Sequence, residues 1–562
     1  MSAKRITALV LILCLLLAGC GNEPGIKGSI TPPKTAAAPQ ESEPPEESYF
    51  EPVERVDIPF EQMLYFPYDE AEYMALCDRI YELAEQGCED EQEAADILWE
   101  ARAELELIYD LGTLAEIKYY SDPGDAGAEE EMNCALDLYY RMYDEYMYAL
   151  GALAVSDNRE LLEWNFYADE IEYFAAAYGS RPEDSGEELE LYKRERELVS
   201  EYYSIMAEPE PDMAAAAEVY VKLVENRREE AAMYGYESYA DYAYSDFYFK
   251  DYYPGDSARL WAGVKEYFVP LVSEHYDAVN RAADVVSASG DVDCSTEAVL
   301  AALERNLPKI SPELYEAFDF MKRNGLYNID LDPQKAEIGY TTRFYYYDAP
   351  FVFNSPYGEF YDYLDMIHEF GHYANAYYTY SDLIFGAPDN DLCELQSQGL
   401  EMVFTAFYED IFGEHAAVVE DYVLMDMLYS IVDGAMYDEF QQRVYAEEDL
   451  TPERVSEIFT EVYADYGYEP YEGYEYEWVY VVHNFEYPFY YISYAVSALG
   501  ALEIYSLMQS DFEAAVDKYL QICAMDAELY YYSEALEEAG FADIFDSECY
   551  AAIAEDIKAN FE

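Results

Sequence analysis

Apolar residues recur at steps of three and four through most of the chain beyond about residue 57. This is the period at which an amphipathic helix buries one face. The clearest such segments are 71–85, 91–111, 129–153, 214–233 and 416–445. Gly and Pro are sparse within these segments and gather between them, where they favour turns. The pattern predicts a mainly α-helical body.

The best strand signal lies in residues 339–354, where Tyr, Thr, Phe and Val dominate. Pro350 lacks an N–H and suggests a position at the edge of a sheet. An edge strand presents unpaired backbone groups on which an extended peptide can dock. The alternative is a small structural sheet that takes no part in substrate binding.

The first twenty residues predict an export signal. Lys4 and Arg5 precede an apolar run over residues 8–17, which is too short to span a bilayer comfortably. Leu17-Ala18-Gly19-Cys20 is typical of a lipid-attachment site, at which Cys20 becomes the lipidated N-terminus of the mature protein. Lipid chains on Cys20 would anchor the protein to the cell membrane, facing the extracytoplasmic side. The alternative is an ordinary secretory signal that is cleaved off.

Residues 21–56 predict a disordered tether rather than folded structure. Gly, Pro, Ser, Thr, Ala and Glu dominate, and large apolar side chains are scarce over most of this stretch. Such a composition buries too little apolar surface to offset the entropy lost on ordering. We therefore expect the folded body to begin at residue 57.

The formal net charge is −88, from 119 acidic and 31 basic residues. This sign argues against a nucleic-acid partner, because phosphate binding requires the opposite charge. It favours attraction of cationic ligands. Adaptation of an exported surface to salt or low pH explains the charge equally well, so the charge does not fix specificity.

His368-Glu369-Phe370-Gly371-His372 is the candidate catalytic motif. On a helix, the four-residue step places His368 and His372 on one face, where two neutral imidazoles can hold a zinc ion. Glu369 then stands beside the metal as a general base. The alternative is a coincidental pair of histidines on a buried helix.

A catalytic zinc needs a third protein ligand, and Glu394 in the following segment is the candidate. Asn375 and Tyr378 occupy the Gly and His positions of the extended His-Glu-x-x-His-x-x-Gly-x-x-His motif, which excludes the metzincin class. Glu401 shares a helical face with Glu394 and is placed to hydrogen-bond the outer atoms of the site.

Four stretches together resemble the oligoendopeptidase F branch of the thimet oligopeptidase (M3) zinc peptidases. They are the Arg-containing helix that ends at a Gly-aromatic pair (223–236), the strand before the zinc helix (350–354), the zinc helix with its Glu394 segment, and the His, Pro-Phe-Tyr and Tyr segment (483–495). The likeness covers about residues 210–500, and only general helical character precedes it.

The resemblance implies a large helical ellipsoid with a deep substrate channel and a small β-sheet next to the zinc helix. It implies an N-terminal helical domain (57–205) that covers a catalytic domain (206–562). A channel of this kind admits short, unfolded peptides only.

The resemblance also implies one zinc ion, held by His368, His372 and Glu394, and donors for the oxyanion in the 483–495 segment. His483 and Tyr494 match the family's pattern. Tyr487 is the further candidate, seven residues before Tyr494 and so on the same face of a continuous helix. Glu486 and Tyr487 depart from the family's residues at these positions, and Tyr490 is the alternative.

The function that the sequence predicts is zinc-dependent hydrolysis of internal bonds in short oligopeptides by an exported, lipid-anchored enzyme. One alternative is a peptidyl-dipeptidase or carboxypeptidase on the same helical zinc fold. Another is a peptide-binding lipoprotein without catalysis, which would not need the base Glu369. His275 and His415 lie outside every motif and are expected to be surface or core residues.

Overall fold

The computed structural model describes residues 48–179, 186–287, 289–546 and 548–561. The predicted export signal (1–20) with Cys20, and residues 21–47 of the predicted tether, lie outside the described residues. Membrane anchorage therefore stays a prediction.

The described chain is mainly helical, which confirms the predicted fold class. Before the sheet lie α1 (Glu70–Gln86), α2 (Glu91–Ser121), α3 (Ala126–Ala154), α4 (Ala168–Gly179), α5 (Gly186–Met206), α6 (Met213–Met233), α7 (Tyr239–Tyr242), α8 (Pro254–Gly263), α9 (Val269–His275), α10 (Asp277–Ala282), α11 (Thr296–Ile310) and α12 (Pro312–Asn324). After the sheet lie α13 (Tyr361–Tyr378), α14 (Asn390–Phe404), α15 (Tyr408–Phe412), α16 (Ala416–Ala446), α17 (Pro452–Asp465), α18 (Val482–Glu486), α19 (Ile492–Met508), α20 (Phe512–Ala524), α21 (Tyr532–Glu538) and α22 (Glu548–Phe561).

Short segments of other helix types complete the body. The 3-10 helices are Phe60–Gln62, Arg159–Trp164, Thr405–Phe407, Gly413–His415 and Tyr474–Tyr480. The π-helical turns are Ala243–Phe247, Val264–Phe268 and Ala283–Ser287. Among the described helices, none combines the length and the apolarity that crossing a bilayer requires.

Aspartates begin many of these helices. The side chains of Asp69, Asp90, Asp125, Asp212 and Asp389 each accept a hydrogen bond from a backbone N–H in the first turn of α1, α2, α3, α6 and α14, respectively. These caps satisfy N–H groups that have no partner inside the helix, and they place negative charge at the positive end of its dipole. Part of the acidic composition thus specifies helix boundaries.

The buried apolar residues form two clusters. The smaller one lies among α1 to α4, from Tyr73 to Phe174, and Ile384 joins it. The larger one contains the rest of the body, and the end of α2 and the α5 residues Leu198 and Tyr202 belong to it. The division between the clusters therefore lies N-terminal to the boundary predicted near residue 205, and the assignment of two domains stays a prediction.

A three-stranded sheet lies beside α13. Its strands are β1 (Tyr327–Asn328), β2 (Gly339–Phe344) and β3 (Ala349–Asn354), in the order β1-β3-β2. Strands β2 and β3 form an antiparallel hairpin, and β1 pairs in parallel with β3. The strand that contains Pro350 is thus central, and the predicted edge position is wrong for it. Pro350 is tolerated because β1 reaches only Val352 and Phe353 of β3.

The last nine residues of the predicted tether are folded, so its predicted end at residue 56 is wrong. Phe50 is only 6% exposed. The Arg55 guanidinium donates to the carbonyl oxygens of Tyr377 at 2.7 Å and Thr379 at 3.0 Å. These carbonyls end α13, where backbone acceptors lack partners within the helix and a cation is favourable. Residues 48–56 therefore close the end of the helix that carries the candidate metal ligands.

Candidate active site

Helices α13 and α14 approach so closely at Gly371 that no larger residue fits there. A Cβ at Gly371 would lie 2.6 Å from the Cα of Ser397 and 2.9 Å from the carbonyl oxygen of Gln396. Glycine at this position lets the two backbones touch. This contact brings Glu394 of α14 to the face of α13 that carries His368 and His372.

The three predicted metal ligands converge. His368, His372 and Glu394 each offer a ligand atom, and these atoms lie within 4.8 Å of one another. His368 Nε2 is 3.7 Å from Glu394 Oε2. Atoms that share a metal at about 2.0–2.2 Å each are separated by a little over 3 Å in a tetrahedral site, so only small movements are needed.

Glu401 orients the His368 ring. Its Oε1 lies 2.7 Å from Nδ1 of His368. A proton on Nδ1 donates to this carboxylate and leaves the Nε2 lone pair directed toward Glu394. A histidine that binds a metal commonly has such a partner, which fixes its tautomer and raises its basicity. The structure therefore gives Glu401 the outer position that its helical spacing suggested.

Thr341 of β2 holds the candidate base. Its hydroxyl donates to Glu369 Oε2 at 2.7 Å and lies 3.0 Å from the Glu369 carbonyl oxygen. The small sheet thus contacts the active-site helix through a strand hydroxyl. The sequence analysis missed this residue, because the position of a threonine in a strand does not reveal which helix lies against it.

The site holds uncompensated acidic groups. Burial is the main cause that raises the pKa values of Glu369, Glu394 and Glu401, each to about 8. Within the described residues, none of these three carboxylates forms an ion pair with Lys or Arg. A bound divalent cation would supply the missing positive charge and lower these pKa values.

The two imidazoles suit metal binding. Burial lowers the pKa of His368 to about 4, and burial together with His368 lowers the pKa of His372 well below its usual value. Both rings are therefore neutral near pH 7, which is the form that binds metals. His372 Nε2 is buried and has no hydrogen-bond partner among the described residues, although buried polar atoms normally have one. A metal would satisfy this nitrogen.

The second predicted group gathers around His483. Its Nε2 lies 3.4 Å from the Tyr494 hydroxyl. The rings of Tyr487 and Tyr490 are centred 6.0 Å and 5.6 Å from the His483 ring, so both remain candidates beside it. Burial lowers the pKa of His483 to about 4, and the ring is neutral near pH 7.

Tyr487 and Tyr494 do not lie on one helix, so the predicted spacing argument is wrong. Tyr487 follows the end of α18, whereas Tyr494 lies in α19. Between them, Phe489 has a positive φ of 69°, and Gln441 Oε1 accepts its backbone N–H at 2.6 Å. Pro488 and this left-handed residue interrupt the helix.

Two close contacts hold the His483–Tyr494 segment in place. A Cβ at Gly500 of α19 would lie 2.8 Å from Leu395 Cδ1, so the Tyr494 helix packs directly on the Glu394 helix. The buried Arg227 of α6 donates to the backbone carbonyls of Asn484, at 3.3 Å, and Phe485. Arg227 lies in the stretch that carries the family resemblance, but its partners are distant in sequence.

The remaining histidines lie elsewhere. His275 stacks on Phe561 at 4.5 Å. A ring nitrogen of His415 and carboxylate oxygens of Asp291 and Glu414 lie within 4.8 Å of one another, but both acidic side chains are exposed to solvent.

Solved structures share this fold. The chain is similar to a protein provisionally named oligoendopeptidase F, with a TM-score of 0.67 and 21% identity over 89% of this chain and 98% of that chain. A provisionally named oligoendopeptidase F from Bacillus anthracis strain Ames gives a TM-score of 0.66 and 20% identity over 90% and 98% of the two chains. A Pyrococcus furiosus carboxypeptidase gives a TM-score of 0.52 and 13% identity over 89% and 100%.

No protein-family model matches the chain, and no curated protein matches it in sequence. The likeness to solved structures therefore lies in the fold, with identities of 21% or less to the three named proteins. The chain has the helical fold of these peptidases, which confirms the fold that the four sequence stretches implied.

The raised pKa values predict how pH affects the metal-free protein. Between the ordinary Glu pKa of 4.5 and about 8, the unfolded chain releases protons that the folded chain retains at Glu369, Glu394 and Glu401. The free energy of unfolding should therefore fall as pH rises through this range, and the stabilisation by added zinc should grow. Melting curves of chelator-treated protein with and without zinc, from about pH 5 to about pH 9, measure both effects. In the Glu394→Gln variant, the free energy of unfolding should fall less steeply with pH. An unchanged slope would contradict the raised pKa assigned to Glu394.

Proposed function

We propose that the protein is a zinc-dependent metalloendopeptidase that hydrolyses internal bonds of short oligopeptides. One observation carries the proposal: His368, His372 and Glu394 place three ligand atoms within 4.8 Å of one another, and Glu369 follows His368 in α13. The shared fold of peptidases supports it. A protein that only bound peptides would not need a buried base next to a metal site.

The donor set favours zinc, with one ion per chain. Two neutral imidazoles and one carboxylate are typical zinc ligands, and three protein ligands leave a fourth position open for chemistry. The Pyrococcus furiosus carboxypeptidase structure is named as an apo-Mg form. Magnesium prefers oxygen ligands in octahedral geometry, so the two ring nitrogens of His368 and His372 favour zinc in this chain.

Glu369 is the proposed general base. When bound, the metal supplies an acidified water and a Lewis acid for the scissile carbonyl. Glu369 accepts the proton of the attacking water and then delivers it to the leaving amine. The Thr341 hydroxyl donates to Oε2 of Glu369 and helps to orient the carboxylate for this proton transfer.

His483 and Tyr494 are the proposed oxyanion donors, and Tyr487 or Tyr490 is the further one. The two side chains lie 3.4 Å apart and come from different helices. Each donor placed at the developing negative charge typically lowers the barrier by about 3 kcal/mol. Gln441 and Arg227 hydrogen-bond the backbone between His483 and Tyr494. This support suits donors that must be in position before the reaction.

The edge strand β2 is the proposed docking site for substrate. It lies at the side of the sheet and carries Thr341, which touches the base. A peptide added along β2 would run past Glu369 in an extended form. An internal channel, as the resemblance implies, would restrict substrates to short unfolded peptides.

The test is cleavage of mixed peptides of five to fifteen residues by the purified full chain, read by mass spectrometry. Glu369→Gln should retain zinc and lose nearly all turnover, because an amide cannot accept the proton. A chelated sample is the second control. Internal cuts that vanish in both controls support the proposal, whereas trimming from one end only would indicate the carboxypeptidase alternative. Substantial turnover by Glu369→Gln would refute its role as base.

Tyr494→Phe separates oxyanion stabilisation from substrate binding. The change removes a hydroxyl and keeps the ring, so kcat should fall about 100-fold with little change in KM. Tyr505→Phe in the same helix is a matched control, because its hydroxyl bonds Glu420 instead of this group, and it should leave kcat nearly unchanged. An effect of Tyr494→Phe on KM alone would assign Tyr494 to substrate binding.

We further propose that the protein is exported and held at the membrane by lipid on Cys20. The basic start, the short apolar run and Leu17-Ala18-Gly19-Cys20 support this. Cys20→Ser should release the protein from the membrane fraction into the soluble one, measured by fractionation and by mass of the N-terminal peptide. Unchanged membrane association of the variant would contradict lipid anchoring.

A further inference from the structure

Lys250 forms a fully buried ion pair with Asp391. Its Nζ lies 2.7 Å from Asp391 Oδ1, and the two side chains are 2% and 1% exposed. The same Nζ donates to the Ser493 hydroxyl at 2.9 Å. One ammonium group therefore bonds two different helices, α14 and α19.

The two bonded residues are neighbours of proposed active-site residues. Asp391 lies one helical turn before the metal ligand Glu394 in α14. Ser493 directly precedes Tyr494 in α19. From this arrangement we infer that Lys250 is a positioning residue, which fixes the metal-ligand helix relative to the helix of the oxyanion donor. The inference rests on the function proposed above.

The surroundings of Lys250 hold its ammonium in one place. Phe249 before it has a positive φ of 51°, a conformation that is costly for a residue with a Cβ. The backbone N–H of Lys250 donates to the Tyr244 carbonyl at 2.7 Å. The Tyr252 hydroxyl donates to the second oxygen of Asp391 at 2.7 Å, so both carboxylate oxygens are bonded.

The energetics of buried ion pairs indicate that this pair aligns α14 and α19 rather than stabilising the folded protein. Removing two charges from water costs about as much as their attraction returns, so replacing both partners often leaves stability little changed. The bonds of Lys250 are nevertheless directional, and they join side chains from separate segments at 250, 391 and 493. Loss of the pair should therefore shift the two helices without unfolding the protein.

The experiment replaces both charges at once in the full chain, by Lys250→Met together with Asp391→Asn. Zinc affinity is measured by competition with a chromophoric chelator. The values of kcat and KM are measured on a peptide that the parent cleaves. We expect kcat or zinc affinity to fall about 10- to 100-fold, as for other residues that orient metal ligands, with KM changed less than about threefold. Circular dichroism and melting temperature establish that the variant is folded.

A matched control pair exists elsewhere in the body. Lys265 and Glu439 form an ion pair at 2.6 Å, and the Tyr466 hydroxyl bonds the same carboxylate at 3.1 Å. Lys265→Met with Glu439→Gln removes a similar but less buried ion pair, with side chains 28% and 10% exposed, that bonds neither Asp391 nor Ser493. This control should keep zinc affinity and kcat within about twofold of the parent, as expected for a site without shared partners.

Parental kcat and zinc affinity in the folded Lys250/Asp391 variant would overturn the inference, as would equal losses in the control pair. If the double variant does not fold, Lys250→Arg decides. A planar guanidinium cannot reproduce the geometry of the ammonium toward both Asp391 and Ser493, so a folded Lys250→Arg protein should lose kcat or zinc affinity. Parental values in that variant would overturn the inference.

If the parent cleaves no peptide, the proposed function fails, and zinc affinity alone still decides the role of Lys250.

Discussion

The site depends on charge that the protein itself does not balance. Glu369, Glu394 and Glu401 are buried around two neutral imidazoles, and within the described chain none of the three carboxylates pairs with Lys or Arg. Burying ionised carboxylates without a cation is costly, and the raised pKa values of the three groups express this cost. In the function proposed above, a bound cation would supply this balance as well as the centre of the chemistry.

Glycines at helix contacts determine how this centre is assembled. Gly371 lets α13 touch α14, and Gly500 lets α19 touch α14. At Gly434 of α16, a Cβ would lie 2.7 Å from the carbonyl oxygen of Tyr491. At each contact, a helix that carries a candidate site residue packs against its neighbour at backbone contact distance, which fixes the spacing of the two helices. Larger residues at these positions would separate the helices by distances comparable to the tolerance of the proposed reaction.

The sequence predicted the features that are local and left out those that join distant segments. His368 and His372 lie four residues apart on one helix, so their spacing alone indicated their common face. The helical class followed from periodicity. Thr341 and Lys250 act through partners far away in the chain, and no local pattern identifies such partners. The helix break before Tyr494 was missed although Pro488 is a local signal for it; the left-handed conformation of Phe489, which usually requires glycine, has no such signal.

The attachment of Arg55 to the end of α13 determines where the chain can be shortened. Composition places the folded boundary at residue 57, and a soluble form cut there would lack Arg55 and Phe50. The terminal carbonyls of the helix that bears His368 and His372 would then lose donors that Arg55 supplies at 2.7 Å and 3.0 Å. A truncated protein for biochemical work should therefore begin before residue 48, because a cut at residue 57 would remove part of the support of the candidate active site.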